Sequence, residues 1–128
     1  MGKVVSFLAE LFDRIEGAVS ASASASVVEQ FLHRLELNAG ERLTLPEIAE
    51  QLGVGYATMR RQVLQATGVS PARCRIEMRI RKARQLLLSH DVQTTAYRLG
   101  YTDPFVFSKQ FKEATGYAPS TYRQSFSE

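Results

Sequence analysis

The arginine and lysine side chains are the groups in this sequence whose spacing suggests chemistry, namely the binding of a polyanion. Residues 41–128 hold thirteen basic and eight acidic side chains, a net charge of +5, whereas residues 1–40 have a net charge of −2. Six of the cations lie close together: Arg73, Arg75, Arg79, Arg81, Lys82 and Arg84. This positive field would suit a nucleic acid, although a solvated basic surface would have the same composition.

Residues that could support catalysis are scattered along the chain. His33 and His90 are far apart, and Cys74, the one cysteine, has no motif around it. The sequence has no spacing typical of a metal site, a phosphate loop or a nucleophile elbow. We therefore expect a protein that is not an enzyme and that needs no metal and no cofactor. A single cysteine also excludes an internal disulfide, which suits a reducing cytoplasm.

An internal repeat indicates the elements that position the cations. The segment IAEQLGV of the first copy corresponds to TAYRLGY of the second, so that Ala49 and Gly53 lie 47 positions before Ala96 and Gly100. The glycines that close the two copies are 48 positions apart, so the second copy is one residue longer. A small residue allows a close helix crossing, and a glycine four positions later can end the helix in the left-handed conformation. Each copy therefore predicts a helix-turn-helix.

Apolar periodicity predicts seven helices within residues 27–128. We expect them at 27–37, 45–52, 56–67, 70–89, 95–99, 103–115 and, as a last short helix, after Pro119. The fourth would be the longest, at about 28 Å. The expected N-terminal caps are Ser26, Thr44, Gly55, either Asp91 or Thr94, and Thr102.

The expected core residues follow the same periodicity. In the third helix Met59, Val63 and Ala66 should face inward, and the second repeat should bury Phe107 and Phe111. The buried side of the fourth helix should include Ile76, Met78, Ile80, Ala83, Leu86, Leu87 and Leu88. Tyr122 should pack back onto the domain.

The first 26 residues predict a separate element. Residues 1–19 contain an apolar stripe from Val4 to Val19 that indicates an amphipathic helix, and residues 20–26 form a Ser/Ala linker. The stripe could pack on the rest of this chain, on a second copy or on a further domain. An alternative function is a helical interaction or dimerisation module that uses this stripe, with the repeats merely structural.

Together these features resemble the DNA-binding domain of the AraC/XylS transcriptional regulators. The resemblance covers about residues 27–123 and rests on both repeats, the linker-helix sequence RIRKARQLL, and the segments FSKQFK and GYAPSTYR. It implies an all-α, seven-helix domain in which two helix-turn-helix units, about 45–67 and 94–115, are joined by a linker helix at about 70–89. Each unit would insert a recognition helix into one of two successive major-groove segments.

The resemblance also indicates which side chains face DNA. On the first recognition helix they are Ala57, Thr58, Arg60 and Arg61, and on the second Pro104, Phe105, Ser108 and Lys109. Gln65 and Lys112, further along the same helices, are additional candidates for DNA contact. The paired arginines could donate to guanine, or they could be phosphate contacts or solvated charges. Phe105 could touch a thymine methyl or belong to the core. We therefore expect the second half-site, the DNA segment that the second recognition helix contacts, to be read less strictly than the first. Arg79 should serve packing and internal ion pairing.

The expected partners follow from this function. Double-stranded operator or promoter DNA would be the ligand, and RNA polymerase a protein partner. A homodimer would form through residues 1–19 or through a domain outside this chain. No apolar run approaches the roughly 20 residues of a membrane helix, so we expect a cytoplasmic, nucleoid-associated protein.

Overall fold

The computed structural model describes residues 26–126, which form seven helices and contain no strand. The helices are α1 (Val27–Leu37), α2 (Leu45–Gln51), α3 (Tyr56–Thr67), α4 (Pro71–Leu86), α5 (Val92–Arg98), α6 (Pro104–Thr115) and α7 (Pro119–Phe126). The predicted all-α class and helix number are confirmed for this part of the chain. The predicted amphipathic helix of residues 1–19 and the linker before Ser26 lie outside the described residues.

Side-chain caps fix the start of the first two helices at the predicted residues. The Ser26 hydroxyl accepts a hydrogen bond from Glu29 N, and the Glu29 carboxylate accepts one from Ser26 N. Thr44 and Glu47 form the same reciprocal pair at α2. Each capping box satisfies two N–H groups that the helix itself cannot pair.

Two helix boundaries differ from the prediction by three residues. Asp91 accepts a bond of 2.7 Å from Thr94 N, so Asp91 is the cap and α5 begins at Val92 rather than Thr95. The longest helix, α4, ends at Leu86 rather than near Ser89, which makes it 16 residues or about 24 Å long.

Tight turns follow α4 and change the position of one expected core residue. Leu88 N donates to Gln85 O at 3.2 Å and Ser89 N to Leu86 O at 3.1 Å, a tighter pattern than in an α-helix. Leu87 is still fully buried, but Leu88 is 46% exposed. The prediction that Leu88 is buried was wrong because the helical period does not continue to that residue.

The third helix buries a polar residue where an alanine was expected. Met59 and Val63 are fully buried as predicted, but Ala66 is exposed and Thr67 is buried. The Thr67 hydroxyl donates to Val63 O at 2.8 Å and accepts from Val69 N at 3.1 Å. The buried face therefore continues at a spacing of four residues, with the hydroxyl satisfied at the helix end.

The linker helix α4 holds the domain together. It packs against α1 and α3, which precede it in the chain, and against α5 and α6, which follow it. Its fully or almost fully buried apolar residues are Cys74, Met78, Ile80 and Ala83, whereas the predicted core residues Ile76 and Leu86 are partly buried. Because both helix-turn-helix units pack against the same helix, its orientation constrains both of them.

Arg79 of α4 is buried and contacts both halves of the domain. Its Nε donates to Ala39 O and its Nη2 to Glu41 O, both at 2.8 Å. The guanidinium lies 5.3 Å from the centroid of the Tyr101 ring. The predicted packing role is confirmed, but the described hydrogen-bond partners are carbonyl groups instead of an ion-paired carboxylate. The carboxylate of Glu41 is bound by Arg34 in a two-bond ion pair of 2.9 and 2.7 Å.

Glu77 is a second buried charged residue on α4. It is 2% exposed, and its Oε1 lies 2.8 Å from Nη2 of Arg73 one turn earlier. Burial raises the pKa of Glu77, and the neighbouring Arg73 only partly opposes this effect.

We expect Phe107→Ala to destabilise the fold strongly and Phe105→Ala, on the same helix, to leave it nearly unchanged. Phe107 is fully buried, with ring centroids 5.3 Å from Tyr101 and 5.7 Å from Phe111, whereas Phe105 is 84% exposed. The first change should lower the free energy of unfolding by about 3–5 kcal/mol, the second by less than about 0.5 kcal/mol. Urea unfolding of both variants measures the difference, and equal losses would contradict this packing.

The stability of Glu77→Gln relative to the native chain should rise with pH. Because the folded-state pKa of Glu77 is raised, the folded chain binds more protons than the unfolded chain above pH 4.5. The free energy of unfolding of the native chain therefore falls as the pH rises from 4.5 to the folded-state pKa. The variant lacks this loss. Urea unfolding at intervals from about pH 4 to pH 8 measures it.

Glu47→Gln is the control of opposite sign. The amide of Thr44 donates to Glu47 and lowers its pKa, so this carboxylate contributes stability above its unfolded pKa. That variant should lose stability relative to the native chain as pH rises. The same pH trend in both variants would contradict one of the two pKa shifts, and the direction of the trend would show which one.

Candidate nucleic-acid interface

The two helix-turn-helix units have the same backbone geometry at their turns. Ala49 and Ala96 are fully buried, and the carbonyl of each accepts a bond of 3.1 Å from the N–H five residues later. Gly53 and Gly100 have φ values of 84° and 88°, the left-handed region that glycine adopts without strain. The predicted roles of these four residues are confirmed.

The extra residue of the second repeat lies in the turn before its recognition helix. Two residues separate Gly53 from Tyr56, the first residue of α3, whereas three separate Gly100 from Pro104, the first residue of α6. Corresponding residues of the two recognition helices are therefore 48 positions apart.

The longer turn changes the cap of the second recognition helix. Thr102 was the predicted cap, but the helix begins at Pro104 and the N-cap is Asp103, whose Oδ1 accepts a bond of 2.9 Å from Phe105 N. A capping side chain must stand immediately before the first helical residue, and Thr102 is one position too early. Gly55 caps α3 as predicted and provides no side-chain bond.

Equivalent residues anchor the two recognition helices in the core. Met59 and Val63 of α3 correspond at the offset of 48 to Phe107 and Phe111 of α6, and all four are fully buried. The ring of Phe111 lies edge-on to Tyr122 of α7 at 5.3 Å between centroids, which confirms the predicted packing of Tyr122. With these faces buried, the opposite faces of α3 and α6 are left for a ligand.

The outer face of α3 contains the five predicted contact residues. Ala57, Arg60, Arg61 and Gln65 are exposed, and Thr58 is partly exposed. The ion pairs found within residues 26–126 involve neither arginine of this face. The structure thus brings these residues together on one exposed surface with two cations.

The outer face of α6 is more apolar. Pro104 and Ser108 are partly exposed, and Lys109 and Lys112 are exposed, but the most prominent side chain is Phe105, at 84% exposure. Its exposure rules out the alternative that Phe105 belongs to the core.

Val106 was missed by the sequence analysis. It is 45% exposed on α6 and corresponds to Thr58 of α3 at the offset of 48. That offset, applied to each predicted contact residue of the first helix, would have identified Val106 from the sequence.

The cations of α4 are partly engaged within the protein. Arg75 donates from Nη2 to Leu43 O at 2.7 Å, and Arg73 is paired with Glu77. Arg84 is exposed, and Lys82 and Arg81 are partly exposed. Arg73 and Arg75 are therefore engaged within the protein, whereas Arg84 and Lys82 remain accessible cations of this helix.

Within residues 26–126, no group of three or more His, Cys, Asp or Glu side chains could hold a metal ion, and no helix is long and apolar enough to cross a membrane. Cys74 is buried, and this burial raises the pKa of its thiol to about 11. The thiol is therefore protonated and inaccessible at neutral pH.

Comparison with known proteins identifies the family. The family described as a helix-turn-helix domain matches residues 48–125, and a solved regulator from Chromobacterium violaceum with an AraC-type DNA-binding domain is 25% identical, with a TM-score of 0.70 over 77% of this chain and 90% of that one. The chain belongs to the AraC/XylS family. The C-terminal domain of AraT, a response regulator from Geobacillus stearothermophilus, has a TM-score of 0.75 at 30% identity, over 84% of this chain and 91% of that one.

A curated relative shows that the match covers part of a longer protein. The transcriptional activator RhaS of Escherichia coli O139:H28 is 35% identical over 103 residues, which are 79% of this chain and 37% of RhaS. The chain thus spans less than two-fifths of the length of that relative.

Asp103→Ala should destabilise the domain, whereas Thr102→Ala should not. Removing the carboxylate leaves the N–H of Phe105 without its partner and should cost about 1 kcal/mol of unfolding free energy. Thr102 is exposed, so its truncation should change that energy by less than about 0.5 kcal/mol. Thermal unfolding of the two variants distinguishes the caps, and a larger loss for Thr102→Ala would restore the original assignment.

Proposed function

We propose that the domain is the sequence-specific DNA-binding part of a transcriptional regulator and inserts α3 and α6 into successive major-groove segments of one duplex. The observation that carries this proposal is the pair of helix-turn-helix units with matching turns and exposed outer faces. The family consists of transcriptional regulators, which are not enzymes.

The first recognition helix would read bases by hydrogen bonding. Arg60 and Arg61 are exposed side chains that can each donate two bonds to guanine O6 and N7. Thr58 and Gln65 can bond a base edge, and the methyl group of Ala57 can touch a thymine methyl. This helix would therefore discriminate strongly at one or two positions.

The second recognition helix would read its half-site mainly by apolar contact. Phe105 and Val106 are exposed apolar side chains that fit thymine methyl groups. Ser108, Lys109 and Lys112 can bond bases or phosphates, whereas Pro104 has no side-chain donor. Apolar contacts are less selective than paired hydrogen bonds, so the second half-site would be read less strictly.

The helix N-termini would contribute unequally to phosphate binding. The first turn of α3 has no side chain on its N–H groups, because Gly55 is the cap, and these groups could donate to a phosphate. At α6 the carboxylate of Asp103 already accepts from Phe105 N. Its negative charge would oppose a phosphate there, which again favours the first half-site.

The length of α4 suggests that the bound DNA is bent. Successive major-groove segments on one face of straight DNA repeat at about 34 Å, whereas α4 is about 24 Å long. Curvature toward the protein would bring the two segments closer, and a bend of tens of degrees costs on the order of 1–6 kcal/mol. We propose a site of roughly two turns per molecule.

Further partners belong to the same proposal. The relative RhaS is named as an activator, and an activator would contact RNA polymerase. Dimerisation would use residues 1–19 or a further domain, and the protein would act in the cytoplasm at the nucleoid.

The rival function, an interaction module based on the Val4–Val19 stripe, predicts binding that barely responds to salt. DNA binding should instead weaken steeply between about 50 and 200 mM salt.

Replacing Arg60 or Arg61 with alanine should relax sequence preference in one half-site. Each lost guanine contact should reduce discrimination at its position by about 1–3 kcal/mol, or about 5- to 150-fold. Selection of bound duplexes from a random pool, for the native chain and each variant, gives the preference at every position.

Arg84→Ala is the matched control, because it removes an exposed arginine from the linker helix instead of a recognition helix. It should leave the selected sequence unchanged. A uniform loss of affinity with unchanged preference in the Arg60 and Arg61 variants would assign both arginines to phosphates. Failure of the native chain to select any sequence would refute the proposed function.

A further inference from the structure

The loop between α1 and α2 is attached to the second helix-turn-helix unit as well as to the first. Arg42 in this loop lies over the ring of Tyr97 of α5, with its guanidinium carbon 4.8 Å from the ring centroid. A methyl group added to Gly40 would overlap the carbonyl oxygen of Arg98. A methyl group added to Gly100 would lie 2.8 Å from Gly40 O. The loop backbone therefore packs directly on the turn of the second unit.

Arg79 connects this contact to the linker helix. Its two bonds to Ala39 O and Glu41 O fix the loop, and its guanidinium faces the ring of Tyr101 in the second turn. Each bond joins residues about 40 positions apart, 40 for Ala39 and 38 for Glu41. We refer to the contacts of Ala39, Gly40, Glu41 and Arg42 with Arg79, Tyr97, Gly100 and Tyr101 as the interunit clamp.

The interunit clamp reaches the second recognition helix. The Tyr101 hydroxyl donates to Oε1 of Gln110 on α6, and the Tyr101 ring lies 5.3 Å from that of Phe107 on the same helix. On the other side, the loop is held to α1 by the ion pair of Arg34 and Glu41 and to α4 by Arg75. A continuous set of contacts thus runs from α1, through the loop and Arg79 of α4, to the turn of the second unit and to α6.

We infer that the interunit clamp, with Arg79 as its central positioning residue, sets the half-site spacing that the domain accepts. The linker helix α4 provides one packing surface for each unit, but two units packed on the same helix could still tilt relative to each other. The clamp supplies a second point of attachment and restricts that tilt. This inference rests on the proposed function, because it specifies how the two recognition helices are held relative to one duplex.

The test compares duplexes whose two half-sites, taken from the random-pool selection, are separated by one base pair more or fewer. Each added pair moves a half-site by about 3.4 Å and rotates it by about 35°. The native 128-residue chain should lose roughly tenfold or more in affinity for each such change, because DNA or protein must deform. Single half-site duplexes, with the other half replaced by an unselected sequence, measure each recognition helix separately.

Arg79→Lys is the decisive variant. Lysine keeps the positive charge, but it has no planar group to lie against Tyr101 and to bond both carbonyls. The variant should bind each single half-site within about twofold of the native chain, while its spacing preference becomes flat or its optimum moves by a base pair. A merely structural role would lower all affinities together. Arg84→Lys makes the same replacement at an exposed site of α4 and should leave the spacing profile unchanged.

The outcomes separate this inference from the function on which it rests. An unaltered spacing profile in folded Arg79→Lys, or a native chain that binds all spacings equally, would overturn it while leaving sequence-specific DNA binding intact. If Arg79→Lys does not fold by circular dichroism, the double variant Arg42→Ala with Tyr101→Phe decides by the same criteria. Absence of binding to either half-site by the native chain would instead refute the proposed function.

Discussion

The attachment of two small helical units to a single helix is the constraint on which the structure depends. The units have short helices of their own, and α4 packs against the recognition helix of each. The buried face of α4 is apolar, with fully buried Ile80 and Ala83, yet the same helix also buries Arg79 and Glu77. A buried charge is costly unless it is bonded, and each of these residues has a specific partner. The bonds of Arg79 to Ala39 O and Glu41 O fix the rotation of α4 about its axis more tightly than apolar packing alone, whereas Glu77 is paired with Arg73 of α4 itself.

The second repeat uses the fold of the first with different chemistry. Its turn is one residue longer, its cap is Asp103 instead of Gly55, and its buried anchors are phenylalanines instead of Met59 and Val63. The larger rings bury more apolar area, so the second unit has a denser aromatic core that Tyr101 and Tyr122 extend. The polar side chains that we propose to read bases by hydrogen bonding are concentrated on α3. We interpret the first unit as the more selective reader.

Sequence signals predicted the parts of the fold that depend on interactions between residues within about one helical turn of each other. The capping pair of Ser26 and Glu29 lies within one turn, and the left-handed glycine of each turn needs only its own backbone, so both were predictable. The boundary errors at Leu88 and Thr102 arose where the chain leaves the helical period. There a single residue of turn geometry decides which side chain is buried or capping, and spacing alone does not specify that geometry.

Long-range contacts were less accessible to the sequence. The density of arginines on α4 suggested a phosphate-binding surface, yet Arg75 donates to a carbonyl of a loop more than 30 positions away. No local pattern distinguishes an arginine that donates to a distant carbonyl from an exposed arginine that can bind a phosphate. The outer faces of α3 and α6 were predictable because the repeat gives two independent readings of one helix. The 48-residue offset identifies Phe107 as the buried equivalent of Met59 and assigns Val106 to the exposed face of α6. The repeat therefore contained more information than either helix alone.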